Sequence, residues 1–250
     1  MISLEETLRA IDSNVEIALI KEQIKNLVTI FNTKHPNVDL SNFAKRIMDL
    51  KITPANKLVS NKPVHYNLNT NTLSLDIDEK DDAKNLIMHG LINIITSNDF
   101  QTGFDYNDRF TALNEGYTQM ITNMLVGNDS DINYFEEEMI STNLVCHMVD
   151  VSILEEAFFN NDSKKLASIL MNQGVALDAI ELLNYRYKNP NINIEVDSRL
   201  AKSFFSRPRT EDEIEGFMLD GSCSKEAELI ANMSREQIYK EEVKGISRTA

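Results

Sequence analysis

Apolar residues recur at helical spacing along most of the chain, which predicts a mainly α-helical protein. Residues 4–32 carry two apolar stripes at spacings of three and four, so one long helix buried on more than one side is expected there. A shorter helix is predicted over residues 40–50, with Ser41 as its cap. The same pattern predicts further helices over residues 81–97, 111–125, 133–149, 152–160, 163–172 and 176–187.

Two short segments instead alternate polar and apolar residues, as half-buried strands do. They are residues 64–69 and 72–77, with an Asn-Thr-Asn turn between them, and together they predict a β-hairpin. The fold class is therefore mainly α with a small β-hairpin or sheet (α+β). Beyond the last of the helices named above, loops are expected at residues 189–193 and 206–210. A helix from the RTEDE segment onward and a charged helix at 224–243 are expected to follow.

The order of these elements suggests three parts. Residues 1–62 form an N-terminal helical segment, residues 63–190 a core, and residues 191–250 a C-terminal loop and helical extension. We expect the three parts to pack as one compact unit, since 250 residues suit one large domain.

The charge balance narrows the possible partners. Lys and Arg number 25 against 39 Asp and Glu, a net charge of -14, which argues against nucleic acid and anionic lipid as ligands. There is no apolar run of about 18 residues, so no membrane span is expected. The acidic first residues do not resemble a signal peptide, which favours a cytoplasmic protein. Cys146 and Cys223 form no CxxC pair and are expected to be reduced, buried thiols.

The segment KNLIMHGLINIITS, residues 84–97, places polar residues in an otherwise apolar helix. His89 and Asn93 lie four residues apart and therefore share one helix face. Gly90 between them costs about 1 kcal/mol of helix stability relative to alanine. Close helix packing with hydrogen-bonded core polar residues explains this pattern, and so does a functional site.

The sequence around these residues resembles a known family. HGLIN, residues 89–93, stands in place of an HExxH motif, and LNEGYT, residues 113–118, resembles the LNEGxT segment that follows it in gluzincin-type zinc metallopeptidases. The likeness is to HExxH proteins of low-GC Gram-positive bacteria in particular. Over residues 64–172 the order of elements also matches, with Gly103-Phe104 in the connecting loop and Tyr134-Phe135-Glu136 opening a later helix.

The resemblance implies a gluzincin-like core whose zinc site has degenerated. In that family two histidines of HExxH and a glutamate from a second helix bind zinc, and the glutamate of HExxH is the general base. His89 and Glu115 would then keep two ligand positions, while Asn93 replaces the second histidine and Gly90 the base. His89, Asn93 and Glu115 are thus predicted as vestigial ligand positions, with no catalytic residue and no bound metal or cofactor.

Three functions remain open. The first is a catalytically inactive protein that binds a peptide or protein in the residual cleft, with strand 73–77 as the cleft edge. The second is a metal-dependent hydrolase, with zinc as cofactor, rebuilt around His89, Glu115 and a third group. The third is a structural helical protein whose cleft has filled in. An open cavity beside Glu115 would favour the first over the third.

The other three histidines are weaker candidates. His147 lies on a later predicted helix, from which it could reach the site, but a place in the core or at its rim is the favoured interpretation. His35 precedes Pro36 in a predicted turn and His65 lies in a strand, and neither has the spacing of a metal ligand.

Two structural expectations follow. The helix of His89 should pack against the helix of Glu115, with Asn93 converging on the same point. The all-round apolar helix should be buried. The expected core residues there and on the facing helix are Leu86, Ile87, Leu91, Ile94, Ile95, Leu113, Ile121 and Leu125.

Overall fold

A computed structural model describes residues 2–55, 62–76, 83–127, 134–173, 175, 177–191, 196–206 and 209–219. These residues form the following elements in chain order: α1 Leu4–Ser13, α2 Lys21–Lys34, α3 Ser41–Ile47, β1 Lys51–Pro54, β2 Val64–Asn67, β3 Thr72–Leu75, α4 Ala83–Ile95, α5 Thr111–Val126, α6 Glu136–Cys146, α7 Val151–Phe159, α8 Ser163–Gln173, α9 Leu177–Lys188, α10 Asp197–Phe204 and α11 Glu211–Leu219. The prediction of a mainly helical protein with a small sheet is confirmed. The helix predicted over residues 224–243, the end of the second strand at Ile77 and the thiol of Cys223 lie outside the described residues.

The single helix predicted over residues 4–32 is wrong. Asn14 has an extended backbone and ends α1, and its side-chain Nδ2 donates to the carbonyl oxygens of Ile47 at 2.7 Å and Leu50 at 2.9 Å. The chain turns there, and α2 begins only at Lys21. The two apolar stripes therefore belong to two helices, because a buried asparagine interrupts the helix without interrupting the apolar spacing.

The predicted hairpin is confirmed, and the structure adds a third strand to it. β2 pairs antiparallel with β3, and Asn67 Oδ1 stabilises the turn by accepting from the backbone N–H groups of Asn69 and Thr70 at 3.1 Å. β1, which sequence analysis missed, pairs parallel with the other side of β3. A four-residue strand that ends in proline gives too little alternation to be recognised.

The sheet order β1-β3-β2 corrects a functional expectation. β3 is the central strand, and its backbone groups are paired on both sides along Thr72–Leu75. The prediction that strand 73–77 is the cleft edge is therefore wrong for its described part. A peptide cannot extend a sheet at a strand that already has two neighbours, because strand addition requires unpaired N–H and C=O groups.

Two helix starts differ from expectation. α10 was not predicted, yet it buries Leu200 and Phe204 and packs against α6. Ser41 does not cap α3, because it is the first residue of the helix and its own N–H donates to Asp39 Oδ1 at 3.1 Å. The helix expected from the RTEDE segment is confirmed as α11.

α4 lies at the centre of the molecule. Every residue from Asn85 to Ser97 is buried, and α4 contacts α2, α3, α5, β2 and β3. The predicted core is confirmed except at Leu125, which is only partly buried because it lies in the last turn of α5 beside exposed Met124.

A single cluster of buried apolar residues extends from Ile11 in α1 to Phe217 in α11. The division into three parts at residues 62 and 190 stays a prediction. None of the helices in the described ranges is long and apolar enough to cross a membrane.

Candidate functional site

α4 and α5 face each other and bring the predicted site residues together. His89 Nε2 lies 2.8 Å from Glu115 Oε2, which confirms the expected pairing of these two helices. Asn93 is turned toward the same helix, and its Oδ1 accepts from Asn114 Nδ2 and Thr118 Oγ1, both at 3.3 Å. The amide of Asn93 therefore serves as a buried link between α4 and α5.

A buried amide network fixes the orientation of the His89 ring. Gln119 Nε2 donates to Asn85 Oδ1 and Asn123 Oδ1, both at 2.8 Å, so Gln119 Oε1 faces His89 Nδ1 at 2.7 Å. An amide oxygen only accepts, so His89 Nδ1 carries a hydrogen and donates it. His89 Nε2 then faces the Glu115 carboxyl group at 2.8 Å.

One face of the His89 ring is covered by an aromatic side chain. Phe135 stacks on the imidazole with 4.6 Å between ring centroids and 14° between planes. The backbone of Phe135 has φ 55°, at the residue before α6, and Lys62 Nζ lies 5.5 Å from the centre of its ring. His89 is fully buried, whereas the side chain of Glu115 keeps 14% of its surface exposed.

Gly90 faces the sheet. A Cβ atom at this position would lie 2.5 Å from Leu73 Cδ1, so any larger residue would require the end of the Leu73 side chain to move. The space beside residue 90 is therefore filled by the side chain of Leu73. Close packing of α4 on β3 is consistent with glycine at this position.

The residues present do not fit a catalytic zinc ion. Such an ion needs three protein ligands, and His89 and Glu115 supply two. Asn93 Oδ1 is occupied by two hydrogen bonds, and an amide oxygen is a poor substitute for imidazole. Across the described residues there is no group of three His, Cys, Asp or Glu side chains placed to hold a metal. The predicted absence of a metal and cofactor stays a prediction.

The residues that hold His89 in place were not predicted from the sequence. Gln119 lies four residues after Glu115, and Asn85 four residues before His89, so helical spacing alone could have placed both on the facing surfaces. Phe135 comes from a separate element, and no local pattern predicts that its ring covers His89.

The other histidines lie elsewhere. His35 Nδ1 pairs with Glu155 Oε1 at 3.0 Å, and His65 is exposed on β2. The ring of His147 packs against Phe217 of α11, with 5.8 Å between centroids, which fits the core-or-rim interpretation.

Two cavities lie outside this cluster. The larger, of about 870 Å³, is open to solvent and bordered by the loop at residues 101–110 and by α8 and α9. The smaller, of about 240 Å³, lies between the turn at residues 16–20, the sheet and α4. Neither is lined by His89, Asn93 or Glu115.

Asp105 gives a pH-dependent prediction near this site. Burial raises the pKa of its carboxyl group, the carboxylates of Asp108 and Glu115 add to that rise, and a hydrogen bond from the Phe110 N–H opposes it. An unfolded aspartate has a pKa of about 3.9, so ionising folded Asp105 costs stability increasingly as pH rises from there through its folded value. Asp105→Asn should therefore stabilise the protein more at pH 8 than at pH 4, as measured by urea denaturation. Asp49→Asn, at an exposed position that does not contribute to this pKa shift, is the control and should show no such gain.

No family model matches this chain, and no curated protein or solved structure matches it either. The likeness to gluzincins therefore depends on residues 89–93 and 113–118, on the order of elements, and on the contact between His89 and Glu115.

Proposed function

We propose that this chain is a catalytically inactive relative of gluzincin zinc metallopeptidases that acts by binding a peptide or protein partner. One observation carries the proposal: in the cluster around His89, contacts within the chain replace the metal ligand and base that a peptidase needs. The Leu73 side chain fills the space beside Gly90, and Asn93 joins two helices through hydrogen bonds to Asn114 and Thr118.

The absence of a glutamate at residue 90 and of a histidine at residue 93 removes two groups that the hydrolytic reaction needs. The glutamate of HExxH accepts a proton from metal-bound water, and glycine has no group that can do so. The second histidine completes the three-ligand set that leaves one position open for water. A chain lacking both is expected to keep the helical core without the hydrolytic reaction.

One observation favours the rebuilt hydrolase as a second candidate. Gln119 holds His89 Nδ1 at 2.7 Å, and Nε2 is thereby aimed at Glu115. Metal-binding histidines are oriented in this way by an acceptor on their other nitrogen. The third candidate, a structural helical protein, differs from our proposal in having no partner. Neither described cavity is lined by Glu115, which favours this candidate where an open cavity there would favour our proposal.

Restoring the motif tests the proposal. Gly90→Glu and Asn93→His would replace both lost groups, and Leu73→Ala would make room beside residue 90. We expect the native chain and the Leu73→Ala control to contain no zinc, and the triple variant to contain one zinc per chain by elemental analysis. Glu115→Gln in the triple variant should abolish that zinc.

Two results would contradict the proposal in different ways. One zinc per native chain, lost in Glu115→Gln, would favour the rebuilt hydrolase, and peptidase assays of that zinc-loaded chain would then decide. No zinc in a folded triple variant would mean that the geometry of a gluzincin site is absent, which favours the structural protein.

A further inference from the structure

We propose that the side chains of Phe135, Glu138 and Tyr187 form a cage that binds an alkylammonium group, and that the chain's own Lys62 occupies this cage in the structure. The inference rests on the proposed function in taking a peptide as the partner, and it names a lysine side chain as the group that the partner presents. The cage includes neither residue 90 nor residue 93, so the zinc experiment and a test of ammonium binding can fail separately.

Two aromatic rings and one carboxylate surround the Lys62 ammonium group. Its Nζ lies 3.9 Å from the centre of the Tyr187 ring and 5.5 Å from the centre of the Phe135 ring. Both distances fall within the roughly 6 Å over which a cation is attracted to an aromatic face. Glu138 Oε1 lies 3.7 Å from the same nitrogen. Aromatic rings placed around one ammonium group are the arrangement with which proteins recognise choline and methylated lysine.

The cage is largely removed from bulk water, and this strengthens its attraction for a cation. The side chains of Lys62 and Glu138 keep only 19% and 8% of their surfaces exposed, and Phe135 is buried. The attraction between a cation and a ring, like that between two charges, grows when both are desolvated. The exposed fraction of Lys62 shows that the cage reaches the protein surface, so a lysine side chain of another molecule can enter it.

The potential around the cage is negative. Burial raises the pKa of Tyr187, and three nearby carboxylates add to the rise, so its hydroxyl group stays protonated. These carboxylates belong to Glu115, Glu138 and Asp105. Only one of the three has a histidine beside it, since His89 faces Glu115. Acidic groups next to neutral rings favour a cationic ligand over a neutral or anionic one.

The cations that neighbour the cage on α9 are engaged with other carboxylates. Arg186 pairs with Glu137 at 3.2 Å, and Lys188 pairs with Asp108 at 3.6 Å. The ammonium group inside the cage is therefore supplied by Lys62 alone among the described residues, and the cage without it would carry net negative charge. The net charge of -14 on the whole chain adds to the attraction for a basic partner.

Contacts that do not involve Lys62 hold the cage in shape. Phe135 stacks on His89 with 4.6 Å between ring centroids, and the backbone of Glu138 packs closely against Gly116. Tyr187 belongs to α9, which contacts both α5 and α6. Removal of the Lys62 side chain should therefore leave an empty cage and a folded chain.

The test compares the native chain with Lys62→Ala, in which the cage is emptied. The probes are Nα-acetyl-lysine methylamide and its uncharged analogue Nα-acetyl-norleucine methylamide, titrated by ligand-observed NMR. We expect Lys62→Ala to bind the lysine probe about tenfold more tightly than the native chain does, because Lys62 competes for the cage in the native chain. The norleucine probe should bind Lys62→Ala about tenfold more weakly than the lysine probe, since it lacks the ammonium group.

Further variants separate charge from shape. Glu138→Gln added to Lys62→Ala should weaken binding of the lysine probe by about fivefold. Glu137→Gln in the same background is the matched control, because Glu137 precedes Glu138 but pairs with Arg186, and it should leave binding unchanged. Lys62→Met keeps the cage filled by an uncharged chain and should bind neither probe.

Several results would overturn the inference while leaving the zinc results unaffected. They are equal affinity of the native chain and Lys62→Ala for the lysine probe, and equal affinity of Lys62→Ala for the two probes. Loss of folded structure by circular dichroism in both Lys62→Ala and Lys62→Met would identify Lys62 as a structural residue and would overturn it too. Butylammonium that binds Lys62→Ala as tightly as the lysine probe would assign the cage to a free amine and overturn the choice of a peptide.

Discussion

Gly116→Ala is expected to destabilise the protein by about 3 kcal/mol. α5 and α6 pack closely at this residue, and an added Cβ would lie 2.6 Å from the backbone carbon of Glu138 and against Thr142 Oγ1. The backbone of a helix cannot rotate away as a side chain can, so the two helices would have to separate. The helix-propensity gain of about 1 kcal/mol that alanine brings offsets only part of this cost.

Gly90→Ala is the matched control, because it makes the same change in a neighbouring helix against a different obstacle. The nearest atoms there belong to the flexible side chain of Leu73. We expect a change of less than about 1 kcal/mol, since movement of Leu73 and the gain in helix propensity oppose each other. Guanidinium denaturation of both variants measures the difference. Equal destabilisation would contradict the view that the glycine of LNEGYT is required by backbone packing.

Local periodicity was enough to predict most helices and the hairpin, because each of them satisfies its own hydrogen bonds or pairs with its chain neighbour. It failed where a distant partner decides the structure. β1 forms because it pairs with β3, in which Thr72, the partner of Lys51, lies 21 residues later in the sequence. Asn14 turns the chain because its amide reaches the carbonyl groups of Ile47 and Leu50.

In the candidate site, too, some features could be predicted from the sequence and others depend on distant partners. The pairing of His89 with Glu115 could be predicted, since the resemblance specifies two facing helices. The contact between Gly90 and the side chain of Leu73 could not, because it depends on how closely β3 approaches α4. The larger cavity was also beyond prediction, since its walls come from the loop at residues 101–110 and from α9, far apart in sequence.

His89→Phe is expected to cost about 3–4 kcal/mol of unfolding free energy. Phenylalanine has a similar planar shape and could keep the stacking on Phe135. It would remove both hydrogen bonds, which leaves Gln119 Oε1 and the largely buried Glu115 carboxylate without their histidine partner. Most of the loss should come from the Glu115 charge, because an unpaired buried charge costs more than an unpaired amide.

A double-mutant cycle separates these two costs. Adding Glu115→Leu to His89→Phe should recover about 1–2 kcal/mol, because replacing both members of a buried pair by apolar groups is far less costly than removing one. The pair formed by His35 and Glu155 is the control, since Glu155 keeps 42% of its side chain exposed and can be solvated by water. The same pair of substitutions there should show a coupling below about 1 kcal/mol. Equal coupling in the two pairs would contradict a stabilising role for burial at His89. Strong coupling in this largely buried pair would instead explain why His89 and Glu115 occur together in a chain whose neighbouring residues do not suit zinc.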